Sequence, residues 1–368
     1  MENMEVDAPL LLDFDLDLSE RGEFHRWSEL PRVLKITILR YVPFPTLRNF
    51  MFLSKECFAL VSEAKPQAGT VRLREQAYRE EIFNIPGEKG RMDLDVCWMP
   101  PDRQLLRSAL KKYRLSFVGD DNGGCFVERW WKKRGRRTAV KGPHYNQDSC
   151  TTAMRVLFRF AEVFDILTLE IQLRSLTPAI ERALSIESSD TVIASNTLDI
   201  RTEDKRLPSA FLRFLRPQSS IRVFSDSDRD TIFLNAAFFD SNVLRAARDL
   251  YIDVKAAITD NQLIKLKAHV MRIRSPYLSA WSINKLILQW LEGQRRITFL
   301  SIQALKTLPR REVLQNIDPS IIITGAEASD GRGYSPDLYI LIRSNHGDLI
   351  LYLDTDYCNL FDPFQVGN

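Results

Sequence analysis

Residues 27–65 read WSELPRVLKITILRYVPFPTLRNFMFLSKECFALVSEAK, three short helix signals in one apolar segment. Pro31, with its fixed φ and missing amide donor, suits a helix start. Behind it Leu34, Ile38, Leu39 and Val42 recur at roughly 3.6-residue spacing, and Pro43 stops the helix. Pro45-Thr46 opens a second, short helix whose Leu47, Phe50, Phe52 and Leu53 form an apolar face around Arg48 and Asn49. Ser54 is placed to cap a third by accepting an orphan N–H; this helix carries Phe58, Leu60 and Val61 and ends at Lys65-Pro66. A bundle of roughly 40 residues lies near the lower limit of independent stability. Something else must therefore cover the remaining apolar surface, and docking onto a partner fits that need.

The order Leu30-Pro31, Leu34, Ile38-Leu39, Leu47, Ser54-Lys55, Phe58 and Leu60-Val61 resembles the F-box, the segment by which substrate receptors join SCF ubiquitin ligases. The resemblance implies a non-catalytic receptor whose N-terminal helices insert into the Skp adaptor of a cullin complex. It makes Leu30, Pro31, Leu34, Ile38, Leu39 and Leu47 the adaptor contacts. Where many F-boxes carry an acidic residue after the Leu-Pro pair and a Trp in the third helix, this chain has Arg32-Val33 and Phe58. The same helices also fit a plain N-terminal cap on the domain that follows.

The chain has 368 residues, 45% hydrophobic and 27% charged, a globular composition. Its length fits one large domain plus a small one. The five cysteines, Cys57, Cys97, Cys125, Cys150 and Cys358, are scattered without the close pairs of a disulfide framework or zinc site, as expected in a reducing, intracellular compartment, cytoplasmic or nuclear. No apolar run approaches the ~20 residues that span a bilayer, and the acidic opening, MENMEVDAPLLLDFDLDLSE, is unlike a secretory signal. Its twenty residues hold no Lys or Arg, and residues 1–24 read as a flexible acidic arm. A net charge of +3 does not argue for nucleic acid or a membrane.

Tyr113 to Val118 and Cys125 to Trp131 alternate like strands around Gly119-Asp120-Asp121-Asn122-Gly123-Gly124, a turn signal. The basic run Lys132 to Arg137 then falls at the next turn, as a charged hairpin tip; an import signal and a surface for single-stranded nucleic acid are its other readings.

From about Arg155 short alternating units recur: 167–171, 197–200, 220–224, 249–253, 269–273 and 297–302. Helical segments lie between them at 151–164, 208–215, 236–247 and 282–291, the last opened by Ser282. Strands spaced by roughly twenty to thirty residues fit leucine-rich-repeat-like units, which stack into a curved, largely parallel sheet with helices outside. Its polar wall would include Glu170, Asp199, Arg201, Arg222, Tyr251 and Arg272, suited to an unknown target protein or peptide. An ordinary α/β core with solvated polar positions is the other reading. The runs Leu244-Arg245-Ala246-Ala247-Arg248-Asp249-Leu250 and 211–217 also resemble the F-box-associated homology region of nematode F-box proteins, which implies substrate recognition. Residues 338–343 and 349–354 alternate around Ser344-Asn345-His346-Gly347-Asp348, a β-hairpin expected to cap the sheet, and 324–336 reads as a loop.

The expected fold is thus α+β: the acidic arm, an F-box-like helical domain (25–70), connecting helices with a β-meander (71–150), and a repeat-like recognition domain (151–368). Catalysis, metals and cofactors find no motif. His25, His144, His269 and His346 lack metal-ligand partners at helical spacing, and no nucleophile elbow, Walker loop or dinucleotide fingerprint occurs. Cys150 near His144 lacks an evident activating group, and Asp226, Asp228 and Asp230 lack the rest of an EF-hand loop. A scaffold binding protein or RNA without an adaptor is the alternative to a ligase receptor.

Overall fold

The structure, a computed structural model, describes residues 27–42, 44–75, 90–97, 112–133, 136–187, 191–225, 232–324, 339–345 and 347–363, with backbone alone at 44–45, 112, 130–133 and 136–140. The acidic arm, the Asp226 to Asp230 loop, His25, His346 and residues 325–336 lie outside the described residues. The chain divides into two compact units, residues 1–196 and 197–368.

The N-terminal unit begins with helices α1 (Arg32–Leu39), α2 (Phe44–Met51) and α3 (Lys55–Ala64). Pro31 stands at the N-cap of α1. Ser54 caps α3 as its sequence position predicts, its hydroxyl accepting the Cys57 N–H at 3.1 Å. Lys65, at φ 42°, turns the chain out of α3. It then enters a sheet of β1 (Gln67–Glu75), β2 (Arg91–Cys97), β3 (Lys112–Gly119), β4 (Cys125–Lys133), β5 (Arg136–Tyr145) and β6 (Asp165–Gln172), in the order β6-β1-β2-β3-β4-β5. β1 and β6 are parallel and the rest antiparallel. The β3–β4 turn is held by the Asp120 carboxylate, which accepts the Asn122 and Gly124 amides at 2.9 and 2.8 Å, with Gly123 at φ 82°. β4 and β5 pair as far as Lys133 with Arg136, so the described residues of the basic run lie at the last pairs of this hairpin. The connecting helices expected between 71 and 150 would fall outside the described residues.

Alternation gives this sheet two faces. Val71, Leu73, Leu94, Phe117 and Val127 occupy one, and helix α4 (Ser149–Val163), which packs on β2–β4, buries Met154, Leu157 and Phe158. The opposite face holds a ladder of charge. Asp93 on β2 accepts from Arg74 on β1 (3.1 Å), Arg91 (3.4 Å) and Ser116 on β3 (2.7 Å). Asp95 accepts from Arg114 at 3.0 Å, and Arg72 binds Glu170 on β6. Asp93 is 1% exposed, so its desolvation is tolerable only because several donors surround it.

The C-terminal unit is built from β7 (Ser195–Arg201), α6 (Leu207–Leu212), β8 (Ser220–Phe224), β9 (Phe233–Leu234), α7 (Asn242–Arg245), β10 (Asp249–Ala256), α8 (Asp260–Leu263), β11 (Val270–Arg274), α9 (Ala280–Leu291), β12 (Phe299–Gln303) and α10 (Arg310–Val313), α5 (Pro178–Ile186) having closed the N-terminal unit. The strands β7, β8, β10, β11 and β12 pair in parallel, each followed by a helical turn that returns the chain to the starting end. Their entry points are stitched by backbone bonds: Arg248 N–H to Ser219 O (3.2 Å), His269 N–H to Arg248 O (3.0 Å) and Thr298 N–H to His269 O (2.9 Å). Leu198, Ile200, Ile221, Val223, Leu250, Ile252, Met271, Ile273, Leu300 and Ile302 fill the buried side.

Two helix readings need correction. The expected helix 236–247 is a 3-10 turn (Ala236–Asp240) and the single turn α7, separated by Ser241 in an extended conformation (ψ 132°). Ser282 does not open α9; Ser279 holds the N-cap, while Ser282 is buried a turn later and donates to Ser279 O at 2.9 Å. The expected hairpin is β14 (Tyr339–Ser344) with β15 (Gly347–Leu353). It does not meet the parallel strands itself: β16 (Tyr357–Phe361) lies between β15 and β12, and β13 (Ile322–Thr324) forms the edge beyond β14. Among the described residues no helix is long and apolar enough to cross a membrane.

Asp93→Ala should lower stability by about 1.5–3 kcal/mol, because Arg74 and Arg91 lose a hydrogen-bonded carboxylate and keep Asp95 and Glu128 only at 3.6 Å. Glu162→Ala, which breaks the exposed pair with Arg159 on α4, should cost below about 1 kcal/mol. Urea unfolding of the two variants measures the contrast.

Candidate functional site

Two surfaces draw attention, and each belongs to one unit. The first is formed by α1–α3. Leu39, Leu47, Met51, Leu60 and Val61 are buried in the N-terminal unit. Outward, Val33 is 72% exposed, Leu34 49%, Tyr41 64%, Leu53 62% and Phe58 44%. Exposed large apolar side chains concentrated in one segment mark an interaction surface. The helices are fixed to each other by Arg32 with Glu63 and by Arg40, whose Nε donates to Ala64 O at 3.0 Å and occupies an orphan carbonyl at the end of α3. Arg48 on α2 is buried over the rings of Phe52 (5.2 Å) and Tyr113 (5.9 Å), the latter on β3. Burial pulls its guanidinium below the usual arginine range, and the aromatic faces offset part of that cost.

The residues expected to touch an adaptor therefore divide. Pro31 and Leu34 are exposed, Leu30 and Ile38 are half-buried, and Leu39 and Leu47 are core residues of the chain itself. Val33 and Tyr41 add outward apolar surface that periodicity did not single out, and Leu53, expected on the apolar face of the second helix, faces water just beyond the end of α2.

The second surface is the polar side of the parallel strands in the C-terminal unit. Asp199 on β7 registers with Arg222 on β8, Arg222 with Tyr251 on β10, Tyr251 with Arg272 on β11, and Arg272 with Ser301 on β12. Four of the expected target contacts thus form one row across neighbouring strands. Arg201 stands one step along β7, over the Phe224 ring at 5.8 Å. Arg222 lies over the Tyr251 ring at 5.1 Å, and Arg272 faces the Asp253 carboxylate at 3.4 Å. Burial raises the Tyr251 phenol above its ordinary pKa, so it remains neutral. Glu170 is not in this row: it belongs to the N-terminal unit and is held by Arg72.

Cys150 does not gain the activation a nucleophile needs. Burial pushes its thiol up to about 12, while His144 is hydrogen-bonded to Asp120. Among the described residues no cluster of three or more His, Cys, Asp or Glu could hold a metal ion.

Compared with known proteins, residues 27–66 match the family model of the F-box domain. No curated protein and no solved structure matches the chain. The chain thus carries an F-box domain in the segment that presents the outward apolar side chains.

Leu47→Ala should cost about 2–5 kcal/mol through lost burial and a residual cavity. Leu34→Ala should stay within about 0.5 kcal/mol of the parent chain. Thermal and urea unfolding distinguish the core position from the surface one.

Proposed function

We propose that the chain is the substrate-recognition subunit of an SCF-type ubiquitin ligase. The observation that carries this reading is the coincidence of the F-box match at 27–66 with Val33, Leu34, Tyr41, Leu53 and Phe58 left facing water. In this role the outward side of α1–α3 docks the Skp adaptor and, through it, a cullin. Pro31 and Leu34 make the contact, Leu30 and Ile38 line its margin, and Leu39 and Leu47 hold the helices in position from within. Covering the exposed side chains supplies about 25 cal/mol per Å² of apolar surface removed from water.

The C-terminal unit supplies the other half of the role. Its strand-plus-helix units support a leucine-rich-repeat-like reading, and the resemblance to a nematode F-box-associated region points to target recognition. The row Asp199, Arg222, Tyr251 and Arg272, with Arg201, is the surface offered to the target. The chain would contribute proximity rather than bond chemistry, raising the effective concentration of target lysines near a charged conjugating enzyme.

Leu34→Asp should abolish co-purification with the Skp adaptor, since an unpaired carboxylate in an apolar contact is strongly disfavoured. The parent complex should survive added salt, because apolar docking is not governed by counterion release. Undiminished adaptor recovery with the variant would reject the assignment.

A further inference from the structure

We infer that the strand face of the C-terminal unit recognises an acidic polypeptide segment, with Arg222 as its central anchor; the inference rests on the target-binding role proposed above and specifies its chemistry. Arg222 is exposed and, among the described residues, no carboxylate lies within ion-pair distance of it. It is not loose, because its guanidinium lies over the Tyr251 ring. A cation–π contact of this kind need not consume the N–H donors of the fork, which then serve a carboxylate. Arg272 flanks the same tyrosine from the next strand, and Arg201 stands beside Phe224 on the other side.

Charge complementarity selects the ligand. Arg222 and Arg272 are two strand spacings apart, roughly 10 Å, so a single anion cannot satisfy both and a segment bearing several carboxylates can. The same face carries Asp199, Asp249 and Asp253. A continuous phosphate backbone would meet these at close range, whereas a polypeptide can place neutral or basic residues opposite them. The ring faces of Phe224 and Tyr251 between the cations favour an acidic segment that also bears apolar side chains. In the N-terminal unit Arg72, Arg74 and Arg114 on the equivalent polar face close onto Glu170, Asp93 and Asp95, as Arg272 does onto Asp253 here, so the contrast lies in Arg222.

The test uses the full chain and a fluorescent synthetic peptide of alternating glutamate and leucine, read by anisotropy. Its glutamine counterpart and a single-stranded RNA oligonucleotide serve as competitors. The glutamate peptide should bind, weaken with salt, and lose about tenfold or more in affinity in Arg222→Glu with Arg272→Glu. Arg182→Glu, on an exposed position of α5, should leave binding unchanged. Arg222→Ala with retained circular dichroism separates loss of the anchor from loss of the fold. Equal binding of the glutamate and glutamine peptides, equal loss in Arg182→Glu, or RNA outcompeting the peptide would overturn the inference. Adaptor recovery in the same variants keeps the two readings apart: Arg222→Glu should retain the adaptor, whereas Leu34→Asp should retain the peptide.

Discussion

Leu47 and Val61 are wholly excluded from water, and Leu39, Met51 and Leu60 nearly so. Three helices of eight, eight and ten residues cannot achieve that alone. They achieve it as part of a unit whose sheet needs cover on one face. Arg48 reaches the aromatic ring of Tyr113 on β3, and α3 packs beside α4. Once this inward side is committed, geometry leaves the next positions around each helix to solvent, and those positions are apolar as well. The outward surface is therefore a by-product of how the inward one is satisfied, and any partner meets three helices already packed on their own sheet.

The two units make contrasting use of the same device, a sheet whose second face is polar. In the N-terminal unit Arg72-Leu73-Arg74 lies opposite Asp93-Leu94-Asp95, so charges of opposite sign register across the strands and neutralise one another under cover. In the C-terminal unit the strands are parallel, and arginine stands opposite tyrosine or serine three times in the register and opposite a carboxylate once. One face is a structural lock and the other keeps hydrogen-bonding capacity.

Much of this was legible in the sequence, for definite reasons. Ser54 fixed the start of α3, and the alternations Leu198/Ile200, Ile221/Val223 and Leu250/Ile252 placed strands within a few residues, because period-two burial leaves a local signature. β1 and β2 escaped recognition because their alternate residues are arginines and aspartates, which look solvated until their partners twenty residues away are known. Ser282 imitated a cap because a serine before an apolar run is the usual sign of one; tertiary burial had placed the helix start earlier. At the helical surface, periodicity identified apolar stripes but could not say which one faced the chain's own core, so Leu39 and Leu47 were grouped with Leu34. The row of Asp199, Arg222, Tyr251 and Arg272 was nameable residue by residue, whereas its alignment depended on register between distant strands.

Backbone bonds join successive strands at their entry points, at Ser219, Arg248 and His269, and again at exits, from Thr202 N–H to Phe224 O and from Ser275 N–H to Gln303 O, while the helical returns behind them differ in length from α7 to α9. Pitch is thereby dictated by the strands, and slack is absorbed by the helical returns. A lineage carrying such a scaffold can change the outward side chains one strand at a time, and lengthen or trim the hidden side, without the two kinds of change interfering.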